Sequence, residues 1–86
     1  MNSEFEKLCS IWEHYGQEGQ LRKLMEEAYE VTDAVRELNL DHMEEEIPDV
    51  MVLLDQIIYE YGLNTSTINR WMRYKMERQL ARIAEE

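Results

Sequence analysis

The sequence has few residues that break secondary structure or cross-link a chain. Its 86 residues include one cysteine, Cys9, one proline, Pro48, and three glycines. A single cysteine rules out an internal disulfide bond, as suits the reducing cytoplasm. Because helix breakers are so rare and β-branched alternation is absent, the chain is predicted to be helical throughout. We predict a single all-α domain over residues 1–86.

Long apolar runs and positive charge are also scarce. No apolar stretch approaches the roughly 20 residues of a membrane span, and the N-terminus lacks a signal-peptide pattern. The formal net charge is −10, which disfavours nucleic-acid polymers and anionic membranes as partners. We therefore expect a cytoplasmic protein that binds neither. The charge is uneven, because residues 64–86 hold five Lys/Arg and three Glu. This basic segment is expected to pack on the acidic remainder of the chain, to meet an anionic ligand, or to do both.

Apolar periodicity predicts four helices. The first begins at Ser3 as N-cap and stops near Gly16–Gly19. The second follows to about residue 40, and the third runs from a cap at Asp41 to about Tyr61. The last occupies most of the chain after residue 64. Four amphipathic helices in so short a chain leave much apolar surface to cover.

The third predicted helix carries an apolar stretch, residues 50–54, that faces nearly all round the helix axis. Such a helix is buried on more than one side. In a chain this small, the second side is most simply covered by another copy. We predict a homodimer or a homotetramer.

Two acidic motifs stand out by their spacing, Glu27/Glu30 on the second helix and Glu46/Asp49 on the third. Residues three apart share one face of a helix, and like charges there repel. Antiparallel packing of the two helices would bring the four carboxylates together. Such a cluster suits Mg²⁺, with Mn²⁺ as a substitute. The alternative is a solvated acidic face, since the chain has nineteen acidic residues.

Two other metal chemistries are less well supported. Di-iron bundles use Glu-x-x-His motifs, and neither His14 nor His42 stands three residues after a glutamate. Zinc sites need clustered cysteine and histidine, and the lone Cys9 and the histidines are not clustered in sequence.

The order of the motifs resembles that of the MazG-like, all-α nucleoside triphosphate pyrophosphohydrolases. The resemblance rests on Glu26-Glu27-x-x-Glu30 followed, after a spacer, by Glu46-x-x-Asp49 and an apolar run. The flanks agree as well, and they comprise Tyr15-Gly16, Gln20, Lys23, Lys75, Arg78 and Arg82. The match covers roughly residues 12–83. One departure is Pro48, which lies inside the second motif and is expected to bend the helix axis between Glu46 and Asp49.

The resemblance implies a four-helix arrangement completed by homo-oligomerisation. It also implies Mg²⁺-dependent hydrolysis of an NTP or dNTP to the monophosphate and pyrophosphate, as nucleotide house-cleaning. The implied catalytic metal ligands are Glu27, Glu30, Glu46 and Asp49. The implied phosphate contacts are Lys23, Lys75 and Arg78, and the candidates for base and sugar are Trp12, His14, Tyr15 and Gln20. Core packing is the competing interpretation for Trp12.

Two other functions compete with the enzyme. One is a non-catalytic nucleotide-binding or regulatory module that keeps the fold. The other is an acidic helical interaction protein whose carboxylates are only solvated surface.

Overall fold

A computed structural model of the chain describes residues 3–86, and over that range it contains three α-helices and no strand. The helices are α1 (Glu4–Arg36), α2 (Leu40–Glu60) and α3 (Thr65–Glu85). The all-α prediction is confirmed. Among the described residues, no helix is long and apolar enough to cross a membrane.

Each helix begins at a polar side chain that accepts a hydrogen bond from the first turn. Ser3 Oγ accepts from the Glu6 N–H at 3.1 Å, as predicted. Asn39 caps α2 and Asn64 caps α3, accepting at 3.1 and 3.0 Å. The predicted cap at Asp41 is wrong, because α2 begins two residues earlier. Asp41 instead lies in the first turn, where the helix dipole stabilises a negative charge.

The first two predicted helices are joined by a single residue, Gly16. Its backbone leaves the helical region (φ 79°, ψ 164°), whereas the residues on both sides remain helical, so α1 has two segments that meet at a kink. Over residues 3–86, the first two predicted helices are therefore present as these two segments of α1, and the last two are α2 and α3. Both segments reach the same turn of α2, because Gln56 bonds to Gln20 from the second segment and to the Leu8 carbonyl from the first.

The core lies between α1 and α2. It buries Trp12, Ala34 and Leu53, together with a polar pair in which Gln20 Nε2 donates to Gln56 Oε1 at 2.8 Å. Edge-to-face rings extend this contact along the first segment of α1, Phe5 against Tyr59 and Trp12 against Tyr61. The second segment of α1 and α2 are thus held as an antiparallel hairpin, and the first segment packs on the C-terminal turns of the same α2.

The surface of α3 is almost entirely uncovered. None of its described residues is buried, and α1 and α2 form the one extensive helix pair among residues 3–86. The radius of gyration is 15.9 Å, against about 12 Å for a compact domain of this length. The accessible area is 7240 Å², against about 5,400 Å² for a folded monomer of this mass. In the protomer alone, therefore, the apolar side chains of α3 are not covered by a core.

We expect Gly16→Ala to destabilise the fold by about 1–3 kcal/mol, because the backbone region of Gly16 is open almost only to glycine. The matched control is Gly19→Ala. Gly19 is helical and an added Cβ there meets Tyr15 Cβ at an ordinary 3.7 Å, so alanine should stabilise by about 0.5–1 kcal/mol. Urea unfolding at one protein concentration measures both changes. Equal effects of the two substitutions would contradict the kink.

We expect Gln20→Leu to destabilise by about 1–3 kcal/mol, because it leaves the buried Gln56 amide without its main partner. Replacing both glutamines with leucine should restore much of that loss, since no buried amide then lacks a partner. The measurement is a double-mutant cycle of unfolding free energies. Strictly additive losses would show that the pair does not act as a unit.

Candidate metal centre

The hairpin brings the two acidic motifs to one place. One carboxylate oxygen from each of Glu27, Glu46 and Asp49 lies within 4.8 Å of the others. Glu27 reaches this point from α1, and Glu46 and Asp49 from α2. Glu27 and Glu46 are half-buried and Asp49 is exposed. The spacing argument thus correctly anticipated the convergence of three of the four carboxylates.

The fourth carboxylate, Glu30, belongs to a second triad with His42 and Glu46, whose ligand atoms also lie within 4.8 Å of one another. His42 Nε2 lies 3.2 Å from Glu46 Oε1. Glu46 is therefore common to both triads. The sequence reasoning did not include His42 among the residues of the cluster. The available signal was the spacing of four residues between His42 and Glu46, which places both on one face of α2.

The cluster concentrates negative charge around Glu46. Burial first, then a hydrogen bond to Glu27, then the charges of Glu27, Asp49 and Glu30 raise the pKa of Glu46 above its usual value. Lys23 Nζ lies 3.4 Å from Glu27 Oε1, one turn earlier on α1. The lysine side chain is 55 % exposed, so its contribution to stability is small. A bound cation would relieve the mutual repulsion of these carboxylates.

The donor set fits a divalent ion. Two oxygen ligands of one Mg²⁺, each at about 2.1 Å, can be at most about 4.2 Å apart. Atoms within 4.8 Å of one another reach that spacing through small changes in side-chain torsion. Carboxylate oxygens alone suit Mg²⁺ and Mn²⁺. Pro48 does not separate the ligands, because α2 runs through it as one helix.

The predicted substrate residues are not gathered at the cluster in the protomer. Trp12 and Gln20 are core residues, 6 % and 3 % exposed, a placement that favours the core-packing interpretation. Lys23 stands beside the cluster through Glu27. Lys75 and Arg78 lie exposed on α3, with the Arg78 guanidinium 5.6 Å from the Tyr74 ring centre. His14 and Tyr15, the other two candidates for base and sugar, are exposed and lie ring edge to ring face, with ring centres 4.7 Å apart.

Comparison with known proteins agrees with the resemblance read from the motifs. No curated protein and no solved structure gives a significant match to this chain. A family match covers residues 16–85, which include both acidic motifs, His42 and the basic residues of α3. The chain belongs to the family of the MazG nucleotide pyrophosphohydrolase domain.

Proposed function

We propose that this protein is a Mg²⁺-dependent pyrophosphohydrolase that converts a nucleoside triphosphate, ribo or deoxy, to the monophosphate and pyrophosphate. The observation that carries the proposal is the convergence of Glu27, Glu46 and Asp49 oxygens within 4.8 Å, in a chain that belongs to a pyrophosphohydrolase family. Mn²⁺ is an alternative ion, since it accepts the same oxygen ligands. The role of the reaction would be to clear nucleotides from the cytoplasmic pool.

The metal ligands in this proposal are Glu27, Glu30, Glu46 and Asp49. When bound, the magnesium ion supplies neutralisation of the phosphate charge and a lower pKa for water. The hairpin holds the four carboxylates in place from two packed helices, so little reorganisation is needed when the triphosphate arrives. Glu30 and Asp49 are exposed and can also accept hydrogen bonds from water, as a general base requires.

Cationic side chains would bind the triphosphate. Lys23 lies beside the cluster, with its ammonium 3.4 Å from Glu27 Oε1. That surface pair is weak enough for the lysine to turn towards a more highly charged phosphate. Lys75 and Arg78 stand on a helix that is uncovered in the protomer. They would reach phosphates when α3 packs against another copy of the chain.

Homo-oligomerisation is therefore part of the proposal. The protomer exposes roughly 1,800 Å² beyond the area of a compact monomer, and stable interfaces bury about 800 Å² per partner. The exposed large residues of α3 include Trp71, Met72, Met76, Leu80 and Ile83. On α2, Met51, Val52 and Leu54 are also exposed. A dimer or tetramer would cover both apolar faces and place a basic α3 near an acidic hairpin.

We expect Asp49→Asn and Glu46→Gln each to lower kcat/KM by about 100-fold or more, because each removes a charged metal ligand. The matched controls are Glu45→Gln and Glu26→Gln, exposed neighbours in sequence that belong to neither triad. They should retain activity within about threefold, as surface charges do. Pyrophosphate release from a panel of NTPs and dNTPs, with and without Mg²⁺, is the measurement.

The same assay separates the competing functions. Activity that survives both ligand substitutions would sink the site assignment. Absence of pyrophosphate release from every nucleotide, together with thermal stabilisation by nucleotide, would instead indicate a non-catalytic nucleotide-binding module. If neither metal nor nucleotide changes pyrophosphate release or thermal stability, the remaining function is that of an acidic interaction protein.

We expect light scattering to show a dimer or larger assembly at micromolar concentration. Leu80→Asp should lower the measured mass, because it places a charge in the apolar stripe of α3. Ala81→Asp, at an exposed position on the opposite face of the same helix from the stripe, adds the same charge outside the stripe and should leave the mass unchanged. A folded wild-type monomer at micromolar concentration would contradict the prediction.

A further inference from the structure

We propose that His42 is a metal ligand, and that Glu30, His42 and Glu46 form a position that prefers divalent transition ions to Mg²⁺. This inference rests on the proposed metal site, which it deepens by naming a selectivity-determining residue. It concerns the end of the cluster away from Asp49. The four carboxylates alone would predict a site for hard ions throughout.

The first step is the geometry. Ligand atoms of Glu30, His42 and Glu46 lie within 4.8 Å of one another, and His42 Nε2 is 3.2 Å from Glu46 Oε1. Two metal ligands four residues apart on one helix form a chelating pair, a spacing that metalloproteases use with two histidines. Glu30 supplies the third ligand from α1, across the hairpin.

The second step is that the backbone of His42 is held in place. Its N–H donates to the Asn39 cap at 3.1 Å, in the first turn of α2. The side chain is 35 % exposed and that of Glu46 13 % exposed. Water and ions therefore reach the imidazole, while Glu46 sits deeper against the hairpin. A ligand set of this kind is open on one side, where a nucleotide or water could complete the coordination.

The third step is the chemistry of the donor atoms. Imidazole nitrogen suits Zn²⁺, Ni²⁺ and Fe²⁺, whereas carboxylate and water suit Mg²⁺. Affinities for nitrogen and oxygen sites generally rise from Mn²⁺ through Co²⁺ to Ni²⁺. Glu46 is common to this triad and to the carboxylate triad with Glu27 and Asp49. The cluster thus offers two adjoining positions of different character, one of oxygen alone and one with nitrogen.

The other interpretation of His42 is a surface ion pair with Glu46, with no role towards metal. The two interpretations predict different changes in Co²⁺ and Mg²⁺ affinity when His42 is replaced. A nitrogen ligand matters for Co²⁺ and little for Mg²⁺, whereas loss of an ion-pair partner changes the charge of the site for every divalent ion alike.

The test compares His42→Gln with His14→Gln, the other histidine of the chain. His14 is an exposed residue of α1 that belongs to neither triad and packs on Tyr15. Co²⁺ and Mg²⁺ are the probes, and calorimetric affinities and the visible absorption of the Co²⁺ complex are the readouts. Circular dichroism confirms that both variants keep the fold.

We expect His42→Gln to weaken Co²⁺ binding on the order of 10- to 100-fold and to shift the Co²⁺ absorption band, because a nitrogen ligand is lost. Mg²⁺ affinity should change by less than about threefold, since its oxygen ligands remain. His14→Gln should bind both ions as wild type does, because His14 belongs to neither triad. Equal changes for both ions, or an unaltered Co²⁺ spectrum, would overturn the proposal and leave His42 as an ion-pair partner.

The outcome is independent of catalysis. If wild type releases no pyrophosphate but its Co²⁺ affinity depends on His42, the proposed function fails and this inference stands. If Asp49→Asn abolishes Mg²⁺-dependent activity while His42→Gln leaves Co²⁺ affinity unchanged, the proposed function stands and this inference fails.

Discussion

The antiparallel contact between α1 and α2 is the constraint on which the site depends. Its most specific element is the buried hydrogen bond between Gln20 and Gln56, 2.8 Å long. An apolar seam tolerates small slips between helices, but a buried amide that loses its partner carries a desolvation penalty. The pair therefore sets the register of the hairpin. Seven residues after Gln20, Glu27 comes opposite Glu46, which precedes Gln56 by ten residues.

The fold tolerates this cluster of like charges because contacts outside the cluster stabilise the helices that carry it. Trp12 and Leu53 anchor the hairpin in its apolar core, while burial and the neighbouring carboxylates disfavour the charged form of Glu46 and raise its pKa. The arrangement stores repulsion that a divalent cation would remove. Such local conflict with stability is characteristic of functional sites rather than of scaffolds.

The exposure of α3 follows from the small size of the chain. A chain of 86 residues can build a core between two helices. It then has no further surface to cover the apolar face of a third amphipathic helix. The basic charge of that helix complements the acidic hairpin. Packing between copies would satisfy the hydrophobic and the electrostatic requirement in one interface, which links assembly to the proposed phosphate contacts.

By itself, the sequence determined the helical class, the cap at Ser3, a break within Gly16–Gly19 and the two acidic motifs, because these follow from local backbone preferences and from spacing along one helix. Only the tertiary structure decided which side chains meet across the hairpin. The burial of Gln20 and the joining of His42 to Glu30 are contacts between residues distant in sequence. Their register depends on packing between helices, which periodicity within one helix does not specify.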